Sequence, residues 1–189
     1  MLEIQGLSKS FPGVKALDRV DLKLERSGIR ALMGENGAGK STLIKVLTGV
    51  YERDSGQILF EGKEICPSSP ADAQRLGIST VYQELNLAPN LSVAENICLG
   101  DERRRWGLID WKAARKRSQA ATECLGIHMD PNRLVSSLST AEQQLVAIAR
   151  AMDRKAQVLI LDEPTSSLDE GEILSLFKLL RKLRDEGLA

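Results

Sequence analysis

The sequence predicts an α/β domain: a mixed-sheet core around a glycine-rich loop, a small antiparallel sheet near the N-terminus, and a helical insert before the core resumes. Three observations carry that expectation. The apolar run Ile29–Met33 stops at Gly34, and beyond the loop a helical face of Leu43, Ile44, Val46 and Leu47 ends at Gly49. The run Val158–Leu161 is continuous, β-prone and followed at once by Asp162, as in a strand buried on both faces of a parallel sheet. The middle third instead spaces its apolar residues for helices.

The remaining elements follow in order. Val20–Leu24 alternates apolar and polar residues, which suits a half-buried strand. Gln57–Phe60 and Ile78–Tyr82 read as two further strands. The helical insert is expected from about Glu84 to Ala151. Its first long helix places Trp111, Ala114, Ser118, Ala121 and Leu125 on one face, with Lys112, Arg115, Lys116 and Arg117 mostly off it. A second helix follows Ser139, with Leu145, Ile148, Ala149 and Met152 one above another. A last amphipathic helix shows Ile173, Leu176, Phe177, Leu180 and Leu183 on one face. There is no internal repeat or low-complexity tract.

Composition narrows the class. With 189 residues, 42% hydrophobic and only 4% aromatic, the chain fits an α/β enzyme core. The 26 basic residues balance the 26 acidic ones, so the bulk charge gives no sign of a nucleic-acid partner. Arg103-Arg104-Arg105, beside Asp101 and Glu102, reads as a solvated loop rather than a phosphate or lipid-headgroup patch. Cys66, Cys98 and Cys124 are far apart, which suggests neither a disulfide framework nor a zinc site. Glu3 sits where a signal peptide needs apolar residues, and no apolar stretch is long enough to span a bilayer. His128, the only histidine, reads as a surface residue of the insert.

The chemistry concentrates in two places. Gly34-Glu35-Asn36-Gly37-Ala38-Gly39-Lys40-Ser41 fits GxxxxGK[ST] in full, between an expected strand and an expected helix. Glycines let successive N–H groups turn inward toward phosphate oxygens, and the helix start adds its partial positive charge. Lys40 can reach the β- and γ-phosphates, and the Ser41 hydroxyl can ligate Mg²⁺. With Thr42 in the first helical turn, these are the candidate nucleotide-binding residues. The second place is Asp162-Glu163, at the C-terminal end of a core strand, where ligands sit in parallel sheets. Asp162 is the candidate metal ligand and Glu163 the candidate base that activates a water.

With those motifs in hand, the whole chain resembles the ABC transporter ATPase family, a P-loop NTPase fold with an antiparallel β subdomain and a helical subdomain, here 84–151. The resemblance implies that Gly34–Ser41 is Walker A and Val158–Glu163 Walker B with its catalytic glutamate. It implies that Gln83 is the Q-loop glutamine, touching Mg²⁺, assisting catalysis and meeting the membrane partner. Ser166-Ser167-Leu168-Asp169 is similar to the D-loop, and Phe11 stands where the family stacks an aromatic on adenine. Leu138-Ser139-Thr140-Ala141-Glu142 falls at the signature LSGGQ, keeping Leu138 and Ser139 but neither glycine, with Glu142 for glutamine. Ser139-x-x-Glu142 is also a capping box, and a capped helix start is an anion site, so the two readings are compatible.

The details resemble ATPases of monosaccharide importers of the ribose, galactose, xylose and galactofuranose type. These are Phe11–Leu17, the loop itself, Tyr82–Leu87 and Asn90–Asn96; Asp162–Asp169 points to the galactofuranose branch. The resemblance implies ATP and Mg²⁺ as ligands, permease subunits and a second ABC domain as partners, a periplasmic sugar-binding protein as an indirect one, and a place on the cytoplasmic face of the inner membrane. Such proteins carry two ABC domains in one chain, and this sequence matches the first and stops inside it. The domain is therefore expected to be incomplete at its C-terminus, lacking a core strand and the family's γ-phosphate histidine. The alternative function is a nucleotide-binding fragment without sustained turnover. A soluble ABC ATPase acting on DNA or ribosomes lacks a basic excess and a coiled-coil insert, and a small-molecule kinase leaves Ser139 and Asp169 without a role.

Overall fold

The computed structural model describes every residue except Trp106, and Arg105 by its backbone alone. Two compact units are present. One comprises Met1–Ser79, Gln157–Ile160 and Arg184–Ala189; the other comprises Thr80–Ala156 and Leu161–Leu183.

The first unit is built on a four-stranded antiparallel sheet. β1 (Leu2–Phe11) lies between β2 (Val14–Leu24) and β3 (Ser55–Phe60), and β4 (Lys63–Glu64) closes the β3 edge. β1 and β2 join through Pro12-Gly13, with Phe11 opposite Val14 and Leu2 opposite Leu24. Strict alternation would bury Leu2, Ile4 and residue 6. The register instead shifts between Ile4 and Leu7, and Leu7 becomes the next fully buried side chain. Glycines permit that bulge: Gly6 and Gly56 have φ of +59° and +88°, and a Cβ on Gly56 would lie 2.5 Å from the Gly6 carbonyl oxygen.

The helix α1 (Lys40–Leu47) lays Leu43, Val46 and Leu47 into the core formed by Leu2, Ile4, Leu17, Ile58 and Phe60. A short α2 (Pro70–Arg75), capped by Ser69, leads into β5 (Ile78–Val81). β5 pairs with β8 (Val158–Leu161). Within this unit the Val158 N–H donates to Gly77 O at 3.0 Å. The other edge of β8 is met by Ala189, through Leu159 N–H to Ala189 O (2.8 Å) and Ala189 N–H to Gln157 O (3.0 Å).

One expected strand does not form. Ile29–Met33 lies outside any strand, with Ile29 61% and Met33 89% exposed. A β-prone run becomes a strand only when a neighbour satisfies its backbone groups, and among the described residues no backbone hydrogen bond reaches this segment. β8 is likewise less enclosed than its apolar run suggested, with only Val158 fully buried.

In the second unit, α3 (Val93–Cys98), α4 (Trp111–Cys124) and α5 (Thr140–Asp153) pack on one another around Val93, Ile97, Ala114, Ala121, Val146 and Ile148. α5 continues two residues past the expected end of the insert. The arginine run is a loop only at Arg103: β6 (Arg104–Arg105) and β7 (Leu108–Ile109) form an antiparallel hairpin, with Arg104 opposite Ile109. Trp111 begins α4 but is 42% exposed, while Ala114, Ser118, Ala121 and Leu125 are buried as expected. The expected face of α5 is partly right: Ile148 and Ala149 are buried, Leu145 and Met152 only half so. In α6 (Glu170–Asp185) the buried stripe is Leu176, Leu179 and Leu183, and Phe177 is 43% exposed. Leu179 is one 100° step from Leu180, so the stripe is rotated from the expected one. Among the described residues no helix is long and apolar enough to cross a membrane.

Candidate functional site

In the first unit the glycine-rich loop is exposed and already shaped. Gly37 and Gly39 have φ of +84° and +89°, a region that side-chain-bearing residues enter only at a cost. Gly39 is also pressed against β2, where an added Cβ would lie 2.5 Å from Ala16 O. Its carbonyl accepts the Leu43 N–H at 2.9 Å and so starts α1. The Ala38 N–H donates to Glu35 O at 3.1 Å, closing the turn that contains Asn36 and Gly37. The Lys40 ammonium donates to Gly34 O at 2.6 Å and Glu35 O at 2.8 Å, so the loop folds around its own cation.

The first-turn N–H groups of Lys40, Ser41 and Thr42 have no partner within the helix, as at every helix start. Unpaired amides, a helix dipole and an ammonium converge on one loop, a donor set that fits a polyphosphate. The exposed Ser41 hydroxyl suits a hard cation such as Mg²⁺. Phe11, also in this unit, is half-buried and edge-on to Tyr51, ring centroids 5.2 Å apart, with the Lys9 ammonium 5.7 Å from its ring.

In the second unit, the Asp162 N–H donates to Val81 O at 3.0 Å. Together with the Val158–Gly77 bond this advances both strands by the same four residues, so β5 and β8 run parallel. Gln83 and the Asp162-Glu163 pair therefore leave the same ends of two adjacent parallel strands. Gln83 and Glu163 are exposed, and Asp162 is half-buried. Glu163 has φ +49°, unusual for a side-chain-bearing residue, and its carbonyl accepts both the N–H and the hydroxyl of Ser166. Backbone conformations of this kind gather where a side chain must be aimed.

Ser139 caps α5: its hydroxyl accepts the Glu142 N–H at 3.2 Å, and the Glu142 carboxylate accepts the Ser139 N–H at 2.8 Å. That hydrogen bond from Ser139, with the Arg133 guanidinium beside it, holds the Glu142 carboxyl below its ordinary value. Asp169 has an equivalent place at α6, accepting the Glu172 N–H at 2.8 Å while its own N–H donates to Glu172 at 3.1 Å. The D-loop resemblance implies only a nucleotide contact for Asp169, whereas Asp169-x-x-Glu172 also carries the spacing of a cap.

Two further residues hold these elements in place. Arg133 donates to Glu142 and to Ser137 O, bracing the start of α5. Asn96, fully buried, accepts from the Ala88 N–H and donates to Ala88, Leu91 and Ser92 carbonyls. It pins the loop that runs from Gln83 to α3. Nothing in local spacing announces Arg133, nine residues from its partner. Asn96 stands in the sequence only as the end of the importer-like segment Asn90–Asn96, with nothing local to mark its burial.

A family model described as "ABC transporter" matches residues 17–166. The galactofuranose transporter ATP-binding protein of Escherichia coli K12 is 55% identical over 189 residues, covering 100% of this chain and 38% of that protein. The fructose import ATP-binding protein of Bifidobacterium longum is 54% identical, covering 98% of the chain and 36% of its own length. A ribose import ATP-binding protein of Rubrobacter xylanophilus is 50% identical, covering 100% and 38%. The chain thus spans under two fifths of the curated relatives it matches. Among solved structures, an ATP-binding cassette of an ABC transporter in its ADP conformation superposes with a TM-score of 0.84 at 27% identity, covering 99% of this chain and 78% of that one. A cassette dimer holding ADP and phosphate after hydrolysis gives 0.80 at 25% identity, covering 98% and 84%.

Proposed function

The chain belongs to the ABC transporter family of ATP-binding proteins, and from that membership we propose that it binds and hydrolyses ATP to energise monosaccharide uptake through a membrane permease. The observation that carries the reading is the loop Gly34–Ser41, folded around the Lys40 ammonium at the start of α1. The names of its relatives support the substrate class: galactofuranose, ribose and fructose are all monosaccharides.

Each candidate residue has a task in this reading, and Gln83 has three. Lys40 exchanges its two carbonyl partners for the β- and γ-phosphate oxygens of ATP, a charge-assisted contact worth more than the pair it gives up. The amides around Gly37–Thr42 bind the remaining phosphate oxygens. Phe11 offers an aromatic face to the base. Ser41, Asp162 and Gln83 are the proposed oxygen ligands of Mg²⁺, which supplies charge neutralisation at the phosphates. Glu163 orients a water and accepts its proton, and Gln83 helps to place that water. Ser139, at the α5 N-terminus, and Asp169 serve the ATP held with a second ABC domain. Gln83 and the helical insert face the permease, on the cytoplasmic side of the inner membrane, and a periplasmic sugar-binding protein delivers the sugar beyond it.

The test is uptake of labelled pentoses and hexoses by cells in which the protein carries Lys40→Ala. Loss of uptake of one monosaccharide supports the reading. Unchanged uptake of every sugar tried overturns it.

A further inference from the structure

We propose that the β6–β7 hairpin and the outer face of α4 form a cationic surface that docks on anionic lipid headgroups. The inference rests on the importer reading, which puts the chain beside a membrane, and it gives the hairpin and outer α4 to lipid while the rest of the insert meets the permease.

The charge is segregated. Residues 101–117 hold seven basic and three acidic side chains, in a chain whose totals are 26 and 26. The rest of the molecule is therefore net acidic, and this segment is its positive pole. The three acidic groups are already engaged. Asp101 pairs with Arg117, Glu102 accepts the Gly100 N–H at 2.9 Å, and Asp110 caps α4 by accepting the Ala113 N–H at 2.9 Å.

Among the described side chains of the segment, Arg117 is the cation turned inward. It donates to Asp153 at 2.7 Å and to Asp101 O at 2.8 Å, tying the loop before the hairpin to α4 and α5. Arg103, Arg104, Lys112, Arg115 and Lys116 are exposed and make no ion pair among the described residues. On α4, Lys112, Arg115 and Lys116 follow the i, i+3, i+4 spacing that puts them on one face, opposite buried Ala114, Ser118 and Ala121.

Two apolar side chains stand out beside these cations. Leu108, next to the hairpin turn at Gly107, is 76% exposed, and Trp111, at the start of α4, is 42% exposed. An exposed ribbon with separate apolar side chains and cations outside any ion pair on flexible stems is a poor match for a shaped protein groove. It suits a diffuse negative surface with an apolar layer beneath, where cations meet headgroups and Trp and Leu settle at the interface.

A polybasic segment gains about fivefold in affinity per cation at such a surface. The chain is sedimented with vesicles of 30% phosphatidylserine in phosphatidylcholine and with pure phosphatidylcholine, over a salt series. Binding to the anionic vesicles alone, weakening as salt rises, is expected. Joint Arg104→Gln, Lys112→Gln and Lys116→Gln substitution lowers it on the order of a hundredfold. Leu108→Ser weakens binding without changing the salt slope, and the control Lys63→Gln, Lys155→Gln and Lys178→Gln leaves it unchanged.

Equal binding to neutral vesicles, no binding to either, or equal loss in the control overturns the proposal. So does a hairpin variant that keeps its vesicle binding but loses capture by permease, since the surface then recognises protein. The salt series uses the unsubstituted chain, so misfolding of a variant does not blunt the test. ATP binding measured on the same hairpin variant separates the two claims. Retained ATP binding with no lipid response sinks only the lipid surface. Lost ATP binding in the unsubstituted chain sinks the importer reading.

Discussion

Arg133 grips the carboxylate of Glu142 at two points, Nη1 to Oε1 at 2.6 Å and Nη2 to Oε2 at 3.1 Å. Glu142 stands where the resemblance of Leu138–Glu142 to the signature implies a glutamine, and the pair neutralises the charge that a carboxylate brings to the start of α5. Glu142 also accepts the Ser139 N–H, so one carboxylate closes the cap and meets the cation.

That arrangement makes stability depend on acid. The folded Glu142 carboxyl lies below its ordinary value of 4.5, chiefly through the Ser139 hydrogen bond and then Arg133. Because the folded value is depressed, the carboxylate contributes stability above the unfolded value, and the contribution is lost as pH falls through the folded one. Glu142→Gln should lower the melting temperature near neutrality, by an amount that corresponds to roughly 0.5–1.5 kcal/mol. The difference from the unsubstituted chain should shrink as pH drops below about 4.5. A pH-independent difference contradicts the assignment.

Asn96→Ala should cost more. It leaves the Ala88 N–H without its partner, at about 1–3 kcal/mol, and takes the second donor from the Ala88, Leu91 and Ser92 carbonyls, each of which keeps a backbone one. Hydrogen exchange of residues 84–92 should rise well before global unfolding. Uniform destabilisation without local loosening tells against a pinning role.

Much of this was legible in the sequence, for local reasons. GxxxxGK[ST] fixed the loop and α1, because glycine conformation and helix capping are set by neighbours in the chain. The Ser139–Glu142 box appeared as its spacing required. Ile29–Met33 misled because strand propensity says nothing about whether a pairing edge is at hand. The arginine run read as a loop because a two-residue strand leaves almost no periodic signal. Arg133 and Asn96 act through contacts that only the fold brings together. Asp169 was given one role when its spacing with Glu172 already offered a second.

Glu163→Gln is expected to retain ATP binding in the intact transporter and lose hydrolysis by ~10²–10⁴-fold, because the amide keeps the shape but cannot accept the proton. Phosphate release against ATP concentration separates the two effects. A parental turnover rate shows that another group is the base.

The central claim is that the loop at Gly34–Ser41 holds the phosphates of ATP. Amide NMR titration with Mg²⁺-ATP reads it directly, even where binding is weak. The account predicts saturable shifts at Gly34–Thr42 that disappear in Lys40→Ala. Shifts confined to other residues, or an unchanged response in Lys40→Ala, would contradict it.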